Sequence, residues 1–458
     1  MNNAHTTPLY VVVLAAGQGK RMNSALPKVL QPLAAKPLLE HVLQAAQPLD
    51  PDKVIVVYGH GGEAVQACFE GRKLTWAHQA EQKGTGHALA QALPHLSAQG
   101  IVLVLYGDVP LLQTHTLEQL IQPARDALVL LTQQIPEPGG YGRILRDEQR
   151  RVVGIREEKD ASPQEKQIQE VNTGIMAMPV VHLSKWLERL TCANAQGEYY
   201  LTDIVASAVA DGVAVRAVQP AHDWEALGVN DKRQLAQLEA IWQRQQAESL
   251  LCRGVTLADP ERLTVRGTVT CGRDVMLDVG VILEGDVTLE EGVSIGPYCV
   301  LRNCRIGAGT VVHAYTHIEG ARLGPDNRVG PYARIRPGTI TQQAVHLGNF
   351  VEVKNCTIDQ ATKANHLTYL GDSSIGARVN VGAGTITCNY DGVNKHRTQI
   401  GDDVFIGSDT QLVAPVTVES GATIGAGSTI VRTAPAAQLT LSRSRQQTIP
   451  HWKRPLKK

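Results

Sequence analysis

The chain has 458 residues, with 44 Lys+Arg against 44 Asp+Glu, 4% aromatics, 42 glycines and 8 cysteines. That length favours two or more domains, and the balanced charge leaves no global field for nucleic acid or an anionic membrane, so anion recognition has to be local. The composition excludes a secreted disulfide scaffold, because no C-x-x-C pair or dense cysteine framework occurs, and a membrane span, because no apolar run approaches ~20 residues. Residues 1–8 are polar and lack the regions of a signal peptide. A reduced, cytoplasmic chain is expected, with each cysteine a small buried hydrophobe.

In chain order, a β-branched run over 10–14 predicts a first strand, 37–46 has helical spacing, and 54–58 and 101–106 read as further strands. Buried strands alternating with helices argue for a parallel α/β sheet. The first strand runs into Gly17-Gln18-Gly19-Lys20-Arg21-Met22, with Pro27-Lys28 after it. A Gly-rich turn lets backbone N–H groups approach a phosphate closely. Three cations within nine residues, Lys20, Arg21 and Lys28, suit a triphosphate. A dinucleotide fingerprint fits poorly, because Met22 replaces the third glycine and the second strand ends in Gly59-His60-Gly61 rather than an acid. A P-loop fails for want of G-K-[ST]. A plain strand-to-helix turn is the remaining alternative, and it leaves the cations unexplained. The strand at 101–106 ends in Gly107-Asp108. An acid there sits where α/β sheets bind ligands, and Mg²⁺ takes one or two protein oxygens. The bland alternative is a Gly-Asp turn.

Residues 229–253 contain neither Gly nor Pro after Val229, and Leu235, Leu238, Trp242 and Leu250 fall near helical spacing. This predicts either a long connecting helix or the last helix of the first domain. Beyond it the composition changes: 24 of the 42 glycines lie in 254–458. Val275, Val281, Val287 and Val293 step by six, as do Ile400, Ile406, Leu412, Val418, Ile424 and Ile430. A six-residue period with one inward aliphatic side chain per repeat is the signature of a parallel β-helix. Interruptions near 308–322 and 383–399 are expected to leave the coil as loops. Within the repeats, Arg334, Arg336 and Lys354 add positive charge, and Asn365-His366 with Tyr369 makes a polar cluster. A general base works best with a pKa near the working pH, and His366 stands out among the histidines for its surroundings. After Glu419 the tail carries Arg432, Arg443, Arg445, Lys453, Arg454, Lys457 and Lys458 and no acid. It reads either as a contact for phosphates or as a solvated tail, with Lys457 and Lys458 assigned to the second reading.

The ordered motifs resemble a family. Leu14-Ala15-Ala16-Gly17 with the basic loop, Gln79, Gly84-Thr85-Gly86, Tyr106-Gly107-Asp108, Tyr141-Gly142-Arg143, Glu157, Val171-Asn172-Thr173-Gly174 and Gly228-Val229-Asn230 are similar to the sugar-nucleotide pyrophosphorylases. With hexapeptide repeats attached, nearly the whole chain resembles the bacterial bifunctional N-acetylglucosamine-1-phosphate uridylyltransferases / glucosamine-1-phosphate acetyltransferases. The resemblance implies a Rossmann-like, mostly parallel α/β nucleotidyltransferase over 1–232, a linker helix over 233–253, and a left-handed parallel β-helix acetyltransferase with a basic tail over 254–458. It implies that Leu14, Ala15, Ala16, Gly17, Gln79, Gly84 and Thr85 hold uracil and ribose, with Tyr106 and Gly107 in the same nucleotide site. Lys28 would reach the phosphates, and Gly142, Glu157 and Asn172 would bind the sugar. Asp108 and Asn230 would ligate Mg²⁺. It makes His366 the general base, gives Arg336 and Lys354 to the sugar phosphate and Tyr369 and Asn380 to the sugar, and places acetyl-CoA against Ala383, Asn389, Tyr390, Ser408, Ala426 and Arg443. Backbone N–H groups of the coils would be the oxyanion donors. It further implies a cytoplasmic homotrimer with small-molecule substrates only, feeding peptidoglycan and lipopolysaccharide precursors. Lys20 departs from the family, which usually carries Thr or Ser there, and it receives no role.

Two other readings compete. A nucleotidyltransferase whose β-helix only oligomerises or binds a regulatory sugar phosphate would need no polar cluster at His366. A non-enzymatic binding module would need neither Lys28 nor Asp108.

Overall fold

The computed structural model describes residues 7–457, so residues 1–6 of the polar leader and Lys458 of the basic tail lie outside the described residues. The chain forms two compact units that divide between Trp242 and Gln243.

The first unit is built on a nine-stranded sheet. Its strands along the chain are β1 (Leu9–Ala15), β2 (Lys53–Tyr58), β3 (Thr75–His78), β4 (Ile101–Tyr106), β5 (Ala127–Gln134), β6 (Gly142–Arg146), β7 (Val152–Arg156), β8 (Glu170–Pro179) and β9 (Ala214–Val218). The order is β9-β5-β8-β4-β1-β2-β3, with the β6–β7 hairpin attached to β8. β4, β1, β2 and β3 pair in parallel, as do β9 and β5, while β8 runs antiparallel to both β4 and β5. All seven residues of β1 are buried, as a central strand covered on both faces requires. Its side chains alternate between two cores: Val11 and Val13 pack on one face with the helix Leu38–Ala46, and Val12 and Leu14 on the other with Leu89 and Trp186. Leu14 pairs with Tyr106 at the carboxyl edge. That register sets the Gly17–Gly19 loop beside Asp108.

The helix Lys232–Cys252 belongs to both units, so the two sequence readings of it merge. In the first unit Leu238 is buried, with Leu235, Ile241 and Trp242, against Met22, Leu33 and Leu38. In the second, Ala247 and Leu250 join the β-helix core.

The second unit is a parallel β-helix of the left-handed hexapeptide type. The six-step side chains from Val275 to Val293 and from Ile400 to Ile430 are all buried, each contributing about 1.5–3 kcal/mol over exposure. Three columns of left-handed backbone mark the corners. One runs through Asp274, Gly292, Gly309 and Asp326, a second through Tyr298, Tyr315 and Tyr332, and a third through Gly285, Asn303 and Gly320.

The expected loop at 308–322 is absent: Val311 pairs with Arg328 and His317 with Arg334, so the coil is unbroken. The six-step phase slips because coils lose one residue at a corner, where the register shifts opposite Asn303. The second expected loop is real but shorter. Ile386–Cys388 stays in the coil, and the excursion occupies 389–397, closed by a Tyr390–Lys395 bridge. The cysteine expectation also needs correction. Cys299, Cys304 and Cys356 are buried, but Cys68, Cys192 and Cys252 are exposed; their segments lie at helix ends or in loops, where no core closes over them. Among the described residues no helix is long and apolar enough to cross a membrane.

Candidate active sites

At the carboxyl edge of the first unit's sheet, a cleft of about 290 Å³ opens. Ten of the fifteen expected nucleotide and sugar residues line it: Leu14, Ala15, Ala16, Gly17, Lys28, Gln79, Gly84, Thr85, Tyr106 and Asp108. Gly107 lies behind the wall, where its N–H bonds the Leu14 carbonyl at 2.9 Å and locks the β1 and β4 ends together. A second hollow adjoins Lys28 and is lined by Gln18, Gly19, Lys20, Arg21 and Asn230. The loop folds onto Lys28 only because Gly19, at φ +61°, has no side chain: a Cβ there would stand 2.7 Å from the Cβ of Lys28. Lys20 and Arg21 have no acidic partner among the described residues, so this hollow is positive and open to an anion.

Lys28 is the junction. Its ammonium bonds the Asp108 carboxylate and reaches Asn230 Oδ1 at 3.4 Å. Asn230 is held in turn by Gln234, whose side-chain oxygen accepts from the Asn230 N–H at 2.7 Å. Two hard oxygens far apart in the unit's sequence therefore converge on one positive charge. That donor set fits Mg²⁺, which takes a carboxylate and few other protein oxygens, and leaves the rest of its shell to phosphates and water.

The remaining expected sugar residues gather beside Tyr106. Gly142 pairs with Asn172 between β6 and β8, and a Cβ on Gly142 would come 3.4 Å from Glu157 Oε1. Asn172 is buried with its Oδ1 unpartnered among the described residues. Burial raises the Glu157 carboxyl above its usual range, reinforced by Asp203 and Asp160 and opposed by a hydrogen bond from Thr202 at 2.9 Å. Burial also drives the Tyr106 phenol well above its ordinary value, aided by the negative charges of Glu157 and Asp108, so it stays a neutral donor. Sequence reading missed Glu198 and Gln82, which line the cleft from loops without periodicity, and Thr202, which meets Glu157 from the short helical turn Leu201–Asp203.

On the β-helix, His366 pairs in register with Asn349 of the preceding coil, and its Nδ1 lies 2.8 Å from Asn349 Oδ1. An amide oxygen only accepts, so Nδ1 carries a proton; in the neutral ring this leaves the lone pair on Nε2 of the exposed side chain. One coil step from His366 leads to Ala383, the next to Ser408 and the next to Ala426 along the same edge. Arg443 Cδ stands within 3.7 Å of a Cβ on Gly427, beside Ala426. Four of the six expected coenzyme residues thus form one stripe along the coils after His366. Asn389 and Tyr390 open the 389–397 loop instead. The Asn389 amide donates to Asp372, and the Tyr390 hydroxyl turns back to the Gly392 carbonyl. Tyr369 lies next to Glu352 in register, and Asn380 next to Lys363.

The surface around Lys354 is cationic. Lys395, which the sequence reading did not single out, sits against Lys354 and depresses its ammonium pKa, with burial, the Lys395 charge and Arg336 adding to the effect and Asp372 opposing it. Arg336 is steered by Glu352 at 2.8 Å. Burial alone would raise Asp372, but amides from Asn355 and Asn389 and the charges of Lys354 and Lys395 hold it below the usual carboxylate range. Lys395 carries no sequence signal because an inserted loop delivers it.

These features define a nucleotidyltransferase followed by a hexapeptide-repeat transferase. Residues 11–170 match the model of the MobA-like NTP transferase domain, 265–363 that of the GMPPB C-terminal domain, and 397–432 the bacterial transferase hexapeptide of six repeats. Full-length relatives agree. The chain is 60% identical over 449 residues to the bifunctional protein GlmU of Aromatoleum aromaticum, covering 98% of this chain and 99% of that one. It is 59% identical to the one from Azoarcus sp. and 58% to that of Herminiimonas arsenicoxydans, each over 448 residues with the same coverage. The chain belongs to the bifunctional GlmU family.

Proposed function

We propose that the chain makes UDP-N-acetylglucosamine in two steps, at two sites: acetyl transfer from acetyl-CoA to glucosamine-1-phosphate on the β-helix, then uridylyl transfer from UTP at the α/β cleft. The observation that carries the reading is that one chain holds both a Lys28–Asp108–Asn230 junction beside a nucleotide-sized cleft and an exposed His366 imidazole held by Asn349. The second feature weighs against a solenoid that only oligomerises.

In the acetyl step, His366 Nε2 takes a proton from the sugar ammonium, and the freed amine attacks the thioester carbonyl. The C–S bond breaks and coenzyme A leaves as a thiol. Arg336, Lys354 and Lys395 hold the sugar phosphate, Tyr369 and Asn380 the sugar, and the Ala383–Ser408–Ala426 stripe with Asn389, Tyr390 and Arg443 the coenzyme. In the uridylyl step, the sugar phosphate oxygen attacks the α-phosphorus of UTP and pyrophosphate departs. Lys28 and Arg21 take up charge on the phosphate oxygens, while Gly142, Glu157 and Asn172 orient the sugar. A divalent ion, Mg²⁺ in this reading, would be held by Asp108 and Asn230 and would supply further neutralisation of the triphosphate. Omitting glucosamine-1-phosphate, acetyl-CoA, UTP or Mg²⁺ in turn from a complete mixture tests the scheme: loss of any one has to stop UDP-sugar formation. Formation of the product without acetyl-CoA from the unacetylated sugar phosphate refutes it.

Phosphate held by Lys354 is bound alike in ground and transition states, so Lys354→Ala raises KM for glucosamine-1-phosphate about 10-fold, with little change in kcat. Steady-state thiol release checks this, and a pure kcat loss contradicts it.

Function divides along the chain as 1–232, 233–253 and 254–458 in this reading, in the cytoplasm and as a homotrimer. Support for assembly comes from Leu367, Tyr390 and Phe405, large apolar side chains 50–62% exposed along the acetyl-transfer end. A fragment ending at 232 keeps uridylyl transfer but melts below one ending at 253, because it strips Leu238 and Trp242 from Met22 and Leu38. A fragment from 254 sediments as a trimer and transfers acetyl groups. A fully active monomer there overturns the shared-site assignment.

A further inference from the structure

The nucleotide cleft contains a polar chain that the reaction scheme leaves unused. Gln79 at its wall is 3% exposed. Its side-chain nitrogen donates to the Gly84 carbonyl at 3.1 Å and lies 3.1 Å from His87 Nδ1. His87 stands on the short helix Thr85–Ala90, half-buried behind the cleft and absent from its lining. Gln91 flanks the other ring nitrogen at 3.3 Å.

Gln79 and Gln91, the latter also donating to the His87 carbonyl at 3.0 Å, each bring an amide nitrogen to the ring, which in its neutral form accepts at only one of them; the Gly84 carbonyl fixes the Gln79 side. A backbone carbonyl only accepts, so Gly84 holds the nitrogen end of the Gln79 amide. The second hydrogen of that nitrogen then points at His87, and the ring meets it with a lone pair on Nδ1. Both amide hydrogens are thereby committed behind the wall. The amide oxygen is left for the cleft, as an acceptor that cannot swap for a donor without breaking two hydrogen bonds at once.

We infer that His87 is a positioning residue which, with the Gly84 carbonyl, locks the Gln79 amide with its oxygen toward the cleft, so that the site reads an imide N–H and selects uracil over cytosine. Uracil presents N3–H to that oxygen; cytosine presents a lone pair at the same atom. A site built to hydrogen-bond a donor discriminates strongly against a base lacking it, because its own buried acceptor is then left unpaired. Remove the His87 lone pair, and one of the two bonds opposing an amide flip is gone. The flipped amide turns its N–H₂ to the base and tolerates cytosine.

The inference rests on the uridylyl-transfer reading, and the experiment separates the two. kcat/KM is measured with UTP and with CTP for the wild-type protein, His87→Ala and His87→Asn. His87→Asn restores an acceptor near the place of Nδ1. Acetyl transfer and a thermal melt report folding. The wild-type protein is expected to prefer UTP at least 100-fold. In His87→Ala that ratio falls about 10-fold, mainly through a higher KM for UTP, and His87→Asn recovers most of it. An unchanged ratio in a folded His87→Ala protein overturns the inference alone. Equal use of UTP and CTP by the wild-type protein overturns it whether or not the variant folds. No UTP turnover by the wild-type protein overturns the parent reading and the inference with it.

Discussion

His366→Ala lowers acetyl transfer by about 10²–10⁴-fold and leaves uridylyl transfer to N-acetylglucosamine-1-phosphate at the wild-type rate. The size follows from the chemistry, since an ammonium is no nucleophile and general-base help is worth about that factor. The selectivity follows from the fold. His366 sits on the β-helix and the nucleotide cleft in the other unit, each with its own core. Asn349→Leu, which removes the acceptor at Nδ1, has a smaller effect in the same direction, because the ring survives but its tautomer is no longer fixed. Thiol release from acetyl-CoA and pyrophosphate release from UTP, measured on the same preparations, separate the two activities. Near-normal thiol release by His366→Ala would place the base elsewhere, with His346 and His396 the next to replace. His396 is already paired to Asp391 at 2.7 Å on the inserted loop, which makes it the weaker of the two.

Asp108→Ala abolishes pyrophosphate release and spares acetyl transfer. Among the described residues, the carboxylate is the acidic group bonded to Lys28 at its junction with Asn230, so its loss removes both the anchor for a divalent ion and the partner that aims Lys28. Asp108→Asn separates these roles. It keeps an oxygen for Lys28 to meet but loses the charge that attracts a metal, and it is expected to be nearly as inactive as the alanine variant. Binding of Mn²⁺, followed directly in the presence of UTP, weakens in both variants by at least 10-fold. Wild-type pyrophosphate release from Asp108→Ala would sink the metal assignment.

Local patterns carried much of this architecture. A six-residue period can place one side chain per face of a coil, so the buried column from Ile400 to Ile430 was legible before any coordinates. The Gly17–Lys28 segment after a β-branched strand likewise announced a glycine turn carrying cations to the cleft edge, because glycine spacing and cations are properties of neighbouring residues. Even the lone aspartate at the end of the strand Ile101–Tyr106 could be placed, since a parallel strand puts its carboxyl end at the ligand edge.

What the sequence left open was set by residues brought together from far apart. The slip from 18 to 17 residues per coil hid the unbroken helix at 308–322, because period counting cannot see a corner taken with one residue fewer. Lys395 reaches Lys354 only through the loop at 389–397, and Asn349 reaches His366 only because neighbouring coils stack in register. Asn230 meets Asp108 at the end of a long return of the chain. The sequence by itself determined which residue types were present for phosphate, proton and metal chemistry, and the fold class that carries them. Only the tertiary structure decided the tautomer of His366, the orientation of the Gln79 amide and the pairing of Lys28 with two oxygens. Each of these is a hydrogen bond across 5 to 202 positions, and a hydrogen bond exists only at a distance and angle that pattern alone does not specify.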